Sequence, residues 1–278
     1  MNGILFHILG KSSSASYSAG YQAILDRATA LGAGYEAPSD AVKTIQNQLY
    51  IDLATLGLTS IWDVLRVYAH NGGAKFGLIN WVDPNTHLAT MPAGDLTFTS
   101  NVGFTSGNGT IYIDDNYNPS TQANHFALDD ASLMYYKQSA NSVDTGNGHI
   151  QSVGDTSRVQ PHRAVTNLAY IKVNGASSLG SSPAQQTGIG LYALSYLEGD
   201  VTHKLEAWSN GVKLAGVNSS DSALSNGLRN CWYGNDKSAF VAYGSNARTE
   251  IPTLTTLLDN YLAELFFLSS SRAFWDFK

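Results

Sequence analysis

Near residue 75 the spacing of apolar residues switches from a helical to a strand period, so the chain must join two kinds of secondary structure in series. Before the switch, Tyr21, Ile24, Leu25 and Ala28 recur at helical spacing, and Gly32 and Gly34 end the run. A second helix opens after Pro38 with Ser39 as N-cap and Asp40 in the first turn, where a negative charge suits the helix dipole. Val42, Ile45, Leu49, Leu53 and Leu56 form its apolar face, and Gly57 stops it. Ser60 followed by Asp63 has the capping-box pattern, which predicts a short third helix carrying Ile61, Leu65 and Tyr68. Residues 1–74 therefore read as an N-terminal helical segment.

After the switch, Phe76–Val82 and Leu96–Ser100 are short β-rich runs bounded by Pro84, Pro92 and Asn/Gly turns. Further strands are expected at 110–113, 132–137, 164–173, 188–196, 203–208, 231–233 and 239–242. Asn210-Gly211, between Trp208 and Val212, is a two-residue hairpin signal. Many short strands with Gly/Asn turns predict a mainly β fold, an antiparallel two-sheet sandwich over residues 75–268. An amphipathic helix closes it, with Ile251, Leu254, Leu257, Leu258, Tyr261, Leu262 and Leu265 on one face. A short aromatic tail, 269–278, carries Phe274, Trp275 and Phe277.

Charge narrows the function. Only 14% of residues are charged, against roughly 25% in an ordinary domain. Sixteen Lys+Arg face 22 Asp+Glu, a net charge of -6, with no Lys/Arg cluster along the sequence. That argues against a nucleic-acid partner, which needs a basic footprint. No apolar run reaches the ~18 residues of a membrane span, so no membrane insertion is expected. The apolar start Met1–Gly10 lacks a basic flank and is interrupted by His7, which argues against a secretory signal. Cys231 is alone, so neither an intrachain disulfide nor a cysteine metal cage is available, which suits a reducing cytoplasm. The sequons at Asn108 and Asn218 read as chance matches in an Asn- and Ser-rich chain.

The order of several segments carries a resemblance. Tyr21–Ala28 and Leu58–Leu65 are followed by Leu78-Ile-Asn-Trp-Val-Asp-Pro84, then Phe98–Gly109 leading into Tyr112-Ile-Asp114 and Asn118-Pro119. Asp130-Ala-Ser-Leu133, Trp208-Ser-Asn-Gly211, Leu224-Ser-Asn226 and the closing helix complete the series. Together they resemble tailed-bacteriophage virion proteins with a concanavalin A-like, laminin-G-like jelly roll, over residues 18–266. The resemblance implies a non-enzymatic structural protein of tail-fibre, head-fibre or decoration type, assembled in the host cytoplasm and located in the virion. It implies other virion proteins as partners, a homo-oligomer such as a trimer, and contact with host surface glycan. Residues 1–74 would then be the attachment segment, and the tail a docking element. Two alternatives are a polysaccharide-degrading enzyme on the same sandwich and a secreted carbohydrate-binding module.

No catalytic, metal or cofactor site is expected from the residues, though several groups bear on the alternatives. Glycosidic cleavage needs two carboxyls about 5–9.5 Å apart. Glu198-Gly-Asp200 followed by Glu206 is the nearest pattern, but its third carboxylate comes late and Gly199 suits a turn. Asp114-Asp115-Asn116 with Asn118 offers oxygen atoms of the kind Ca²⁺ takes, in spacing unlike an EF-hand and ordinary for turns. Asp129-Asp130 reads as a solvated strand entry. The histidines at 7, 70, 87, 125, 149, 162 and 203 are scattered, without zinc spacing, and read as surface or turn residues. Gly188-Ile-Gly190 lacks the following helix of a dinucleotide site, and no Gly-x-Ser-x-Gly elbow is present. Among aromatics, Tyr135 and Tyr136 should face opposite sides, one in the core and one emerging, while Tyr192 and Tyr196 should share a face. Tyr117, Trp232 and Tyr243 lie near expected turns, and these aromatics are read as packing residues before sugar platforms.

Overall fold

A computed structural model describes residues 16–105, 110–139, 150–153, 157–163, 168–174, 188–218, 223–231 and 237–275. Two helices come first, α1 (Ala19–Leu31) and α2 (Asp40–Thr55). The strands are β1 (Trp62–Val67), β2 (Phe98–Thr99), β3 (Gly103–Thr105), β4 (Ile113–Asp114), β5 (Asp130–Lys137), β6 (Ile150–Ser152) and β7 (Arg158–Arg163). They continue with β8 (Leu168–Lys172), β9 (Gly190–Leu197), β10 (Leu205–Ser209), β11 (Val212–Val217), β12 (Leu228–Asn230) and β13 (Lys237–Gly244). A single helical turn, α3 (Pro119–Gln122), follows β4, and the long α4 (Ile251–Trp275) closes the chain.

All strand pairs are antiparallel and fall into two sheets. The larger has eight strands in the order β11-β10-β9-β5-β13-β3-β2, with β1 also on β13. The smaller has five, β4-β12-β6-β7-β8. Strand alternation gives the larger sheet two apolar faces. Leu133, Tyr135, Tyr192, Leu194, Tyr196, Val241 and Tyr243 meet Ile113, Ile150, Val159 and Leu228 of the smaller sheet in one core. On the other face, Trp62, Met134, Tyr136, Leu191, Phe240 and Ala242 pack against all three long helices in a second core. The architecture is thus helices, larger sheet, smaller sheet.

The helices form where their apolar periodicity places them. α1 buries Tyr21, Ile24, Leu25 and Ala28, and Gly32 leaves it at φ 76°, a conformation that favours glycine. α4 buries Ile251, Leu254, Leu258, Tyr261 and Leu265, each worth roughly 1.5–3 kcal/mol if fully removed from water. Asn210 and Gly211 sit at φ 49° and 74° and join β10 to β11 in the hairpin that their sequence predicts.

Three local expectations are corrected. The segment expected as a third helix is instead β1, preceded by a 3-10 turn at Leu58–Ser60. Its apolar residues suit either period, and long-range pairing decided: Leu65 opposes Ala242 and Val67 opposes Phe240 on β13. Every residue of β1 is buried, so residues before 75 contribute a strand to the larger sheet as well as helices to its cover. Second, Phe76–Val82 is not a strand; Ala74–Leu78 is a 3-10 helix, and the buried Asn80 holds the following turn by accepting from Leu65 N–H at 3.0 Å and donating to Asp63 O at 2.9 Å. Third, α4 runs on to Trp275, so much of the 269–278 tail prolongs a helix; Phe277 lies outside the described residues.

Candidate functional site

The carboxylates considered for a hydrolytic pair are each ion-paired, and Asp200 and Glu206 share Arg248. Glu198 and Gly199 form the turn between β9 and β10. Glu198 pairs with Lys204 and accepts from the Tyr196 hydroxyl, contacts that hold its carboxyl below the usual range. Asp200 accepts backbone N–H groups of His203 and Thr202 at 3.0 and 2.7 Å, which lowers its pKa, and it pairs with Arg248 at 2.6 Å. Glu206 alternates with the inter-sheet residues Leu205 and Ala207, so it points to the opposite face, where Lys213 and Arg248 lie 3.0 and 3.4 Å away.

The Asp114–Asn118 loop spends its oxygens on protein partners. Asp115 is fully buried between the sheets. Arg66 lies 3.5 Å from its carboxylate, Asn230 Nδ2 donates to both oxygens at 2.8 Å, and the Tyr243 hydroxyl donates at 2.8 Å. Burial pushes the Asp115 carboxyl up, and Arg66 and the two donors pull it back. Tyr68, donating to Asn230 Oδ1 at 3.0 Å, is likewise pushed well up by burial and keeps its proton. Asp114 accepts Asn116 N–H at 2.9 Å, Asn116 donates to Leu88 O at 2.7 Å, and Asn118 caps α3 by accepting from Ser120 N–H at 3.1 Å. Among the described residues, no three His, Cys, Asp or Glu side chains converge as a metal site.

Asp63, expected to cap a helix, instead fastens a loop. Its carboxylate accepts the backbone N–H groups of Asn124, His125 and Phe126 at 2.8–3.1 Å and the Tyr117 hydroxyl at 2.7 Å. Asp129 precedes β5, and Asp130, its first residue, accepts Asn246 N–H at 2.6 Å.

Among the described residues, no group of histidines converges as a metal site. His70, read as a surface residue, is fully buried between Phe76 and Phe98 and accepts from Gly72 N–H at 3.1 Å. His87 stacks edge-on against Tyr117, and His125 and His203 serve through backbone N–H groups. His162 falls in β7, while His7 and His149 lie outside the described residues. Cys231 is buried in the inter-sheet core at φ 50°.

The aromatic candidates are core residues. Tyr135 and Tyr136 do take opposite faces, but neither emerges, because each face of the larger sheet is covered. Tyr192 and Tyr196 share the inter-sheet face, with Tyr117 and Tyr243 also buried there. Trp232 lies outside the described residues.

The long helices all pack on the far side of the larger sheet, and the remaining polar cluster lies on the face of the smaller sheet away from the inter-sheet core. Register aligns one residue per strand across it: Asp114 opposes Arg229, Arg229 opposes Gln151, Gln151 opposes Arg158, and Arg158 opposes Lys172. Each is one step from an inter-sheet core residue (Ile113, Leu228, Ile150, Val159 and Val173), so the row lies on the side away from that core, with Gln151 buried and the other four half-buried. Arg229 lies over the Tyr112 ring, 4.5 Å from its centroid, and 3.9 Å from the Asp114 carboxylate. The pairing of β7 with β8 shifts register between Gln160 and Arg163, the stretch that holds Pro161, which has no N–H for the ladder. None of this row except Asp114 stands out in the sequence, where its cations are isolated and more than ten residues apart. Strand pairing supplies the signal: Val159 and Ile171 alternate with Arg158 and Lys172.

The described residues form a two-sheet antiparallel β protein covered by helices on one side, with a row of polar side chains beside Tyr112 on the far face of its smaller sheet. No protein-family model and no curated protein matches the chain. Among solved structures it is similar to domain 4 of AbnA, a GH43 extracellular arabinanase from Geobacillus stearothermophilus in complex with arabinotriose, at 13% identity over 69% of this chain and 100% of that one, TM-score 0.45. It is also similar to a Trypanosoma rangeli sialidase mutant displaying trans-sialidase activity, at 10% identity over 80% of this chain and 38% of that one, TM-score 0.49. A third is the T. cruzi calreticulin globular domain, at 9% identity over 76% and 95%, TM-score 0.35. Scores this low carry no chemistry over to this chain.

Proposed function

We propose that this protein is a non-catalytic recognition module, a concanavalin A-like jelly roll that holds an extended carbohydrate polymer across the outward face of its smaller sheet. The observation that supports this reading is the row Asp114–Arg229–Gln151–Arg158–Lys172 beside Tyr112. Sugar recognition needs hydrogen-bonding side chains in a planar array next to an aromatic surface, and the row supplies donors, acceptors and a ring on one rigid sheet. The ion pairs of Glu198, Asp200 and Glu206 support the non-catalytic part, since each carboxylate is already paired, Glu198 with Lys204, Glu206 with Lys213, and Asp200 with an Arg248 that Glu206 shares.

The setting drawn from the sequence resemblance is a bacteriophage virion, with the module displayed in several copies on tail, fibre or head and bound to other virion proteins. Many copies would turn a weak single-site contact into firm attachment. Immunogold labelling of intact particles tests that setting, and unlabelled particles would overturn it. Affinity electrophoresis of the purified protein through neutral and anionic polysaccharides tests recognition. Retardation by at least one polymer, reduced in Tyr112→Ala and Arg229→Ala, is the expected result. Mobility unchanged in every polymer refutes recognition, and release of reducing sugar refutes the non-catalytic assignment.

A further inference from the structure

We propose that the groove between α2 and α4 is a docking site for an amphipathic helix of another protein, one with Lys or Arg on each flank of an apolar stripe, about two turns apart. The groove lies on the helix-covered side of the larger sheet, away from the polar row of the smaller one, so this inference stands apart from the carbohydrate reading. Leu49 and Tyr261, both buried, and Ile45 and Leu257, half-buried, give the groove an apolar base, with Asp52 on the α2 wall and Glu264 on the α4 wall. It is already built: the buried Gln46 accepts from the Tyr21 hydroxyl at 2.7 Å and donates to the Tyr261 hydroxyl at 3.1 Å, and Tyr261 donates to Ala69 O. One chain of bonds thus ties α1, α2, α4 and the segment after β1, and a preformed groove spares binding the cost of ordering it. A channel of this kind between two helices takes a third helix by its apolar face.

Charge selects the occupant. Among the described residues, neither Asp52 nor Glu264 has an ion-pair partner; Gln48 donates to Asp52 at 2.9 Å, and Lys43, the one cation of α2, is held by Asp40 at 2.6 Å. α4 has no Lys or Arg before Arg272. Over α1, α2 and residues 251–270, Asp26, Asp40, Asp52, Asp259 and Glu264 stand against Arg27 and Lys43. An acidic face attracts a basic partner, and it repels nucleic acid and a second copy of itself. The spacing follows from the helices. Asp52 also borders Thr253 and Thr256 near the start of α4, so α2 and α4 run antiparallel. The Gln46–Tyr261 bond marks one level of the groove. Asp52 lies six residues from it along α2 and Glu264 three along α4 in the opposite direction, so their backbones are roughly 13 Å apart along the groove. Side chains lean toward the N-terminus of their own helix, which draws the two carboxylates together. Cations six or eight residues apart on a partner helix, about 9–12 Å along its axis and on opposite flanks, meet both.

Fluorescence anisotropy on the full chain tests the proposal, with labelled helical peptides of about 18 residues built on a Leu/Ala stripe as probes. Two carry a pair of Lys six or eight residues apart, a third has both Lys within one turn, and a fourth replaces the widely spaced Lys by Glu. At least one widely spaced Lys peptide should bind roughly tenfold tighter than the Glu peptide and roughly threefold tighter than the one-turn peptide, with the preference shrinking as salt rises. Asp52→Asn and Glu264→Gln should each weaken that binding roughly threefold, the scale of one exposed ion pair. Glu264 is exposed, so its variant keeps the test open if Asp52→Asn folds poorly. Asp52→Lys combined with Glu264→Lys should reverse the preference toward the Glu peptide, which loss of structure alone does not produce. Equal binding of Lys and Glu peptides, indifference to both single substitutions, or no binding of any Lys peptide overturns the proposal. Self-association in ultracentrifugation that Glu264→Gln or Asp52→Asn alters assigns the groove to a second copy and likewise overturns it.

Discussion

His70→Asn should flatten the loss of stability that acid imposes on the native protein. The imidazole is fully buried against Phe76 and Phe98, with Gly72 N–H donating to Nδ1 at 3.1 Å. Burial pushes its pKa down to about 3 from the ordinary 6.5, because a charged ring there would lose its water. The unfolded chain therefore takes up a proton on this histidine near pH 6.5, while the folded chain holds it neutral until about pH 3. Between those values the unfolded state binds more protons, so stability falls as pH falls. The slope is about 1.4 kcal/mol per pH unit, which integrates to about 2 kcal/mol between pH 7 and pH 5. Asparagine keeps an acceptor for Gly72 and cannot titrate, although it leaves part of the ring's volume empty and lowers stability at every pH. Urea denaturation of both proteins at pH 7 and pH 5 reads the effect. The gap between wild type and variant should narrow by about 2 kcal/mol at the lower pH. Equal losses in the two proteins would refute the reasoning, as would an imidazolium NMR signal from His70 in the folded protein at pH 5.

Three other substitutions test the tertiary contacts. Asp63→Ala strands three backbone N–H groups and the Tyr117 hydroxyl, and should cost about 3–5 kcal/mol in urea denaturation; a loss under about 1 kcal/mol would mean the loop finds other acceptors. Arg66→Met leaves Asp115 buried without its cation and should cost about 3–5 kcal/mol, whereas Arg66→Met with Asp115→Asn should recover part of that, because the amide is neutral and its oxygen still accepts; a double variant no better than the single one contradicts the pairing. Gly103→Ala should lose roughly 4 kcal/mol or more in thermal melts, because φ is 116° and a Cβ would lie 1.9 Å from Ser238 O; near-wild-type melting would refute the close approach.

Much of the architecture follows from local pattern. The helical faces of α1, α2 and α4, the Asn210-Gly211 hairpin and the alternation along β5 and β9 depend on residues within one or two turns of each other. Local rules fail at Trp62–Val67, where capping and apolar spacing favour a helix. There β13 supplies backbone partners from more than 170 residues away, and both faces of the resulting strand are buried. Tyr136 shows the same limit: alternation correctly sends it away from Tyr135, but only the helix layer determines that the second face is also interior.

The candidate site was less visible still. Asp114 and Asp115 were prominent as neighbours in sequence, yet strand alternation sends Asp115 into the core beside Arg66 and leaves Asp114 on the outer face with Arg229. Periodicity and turn chemistry are local properties, and they suffice to place antiparallel strands after helices and before a closing helix. Which faces are covered, and which cations stand side by side, depends on register between strands far apart in the chain. A shift of one residue in β7 would turn Arg158 inward and Val159 outward. The row of Asp114, Arg229, Gln151, Arg158 and Lys172 exists only because burying Ile150, Val159 and Leu228 fixes that register, and with it the side of the sheet on which these residues lie.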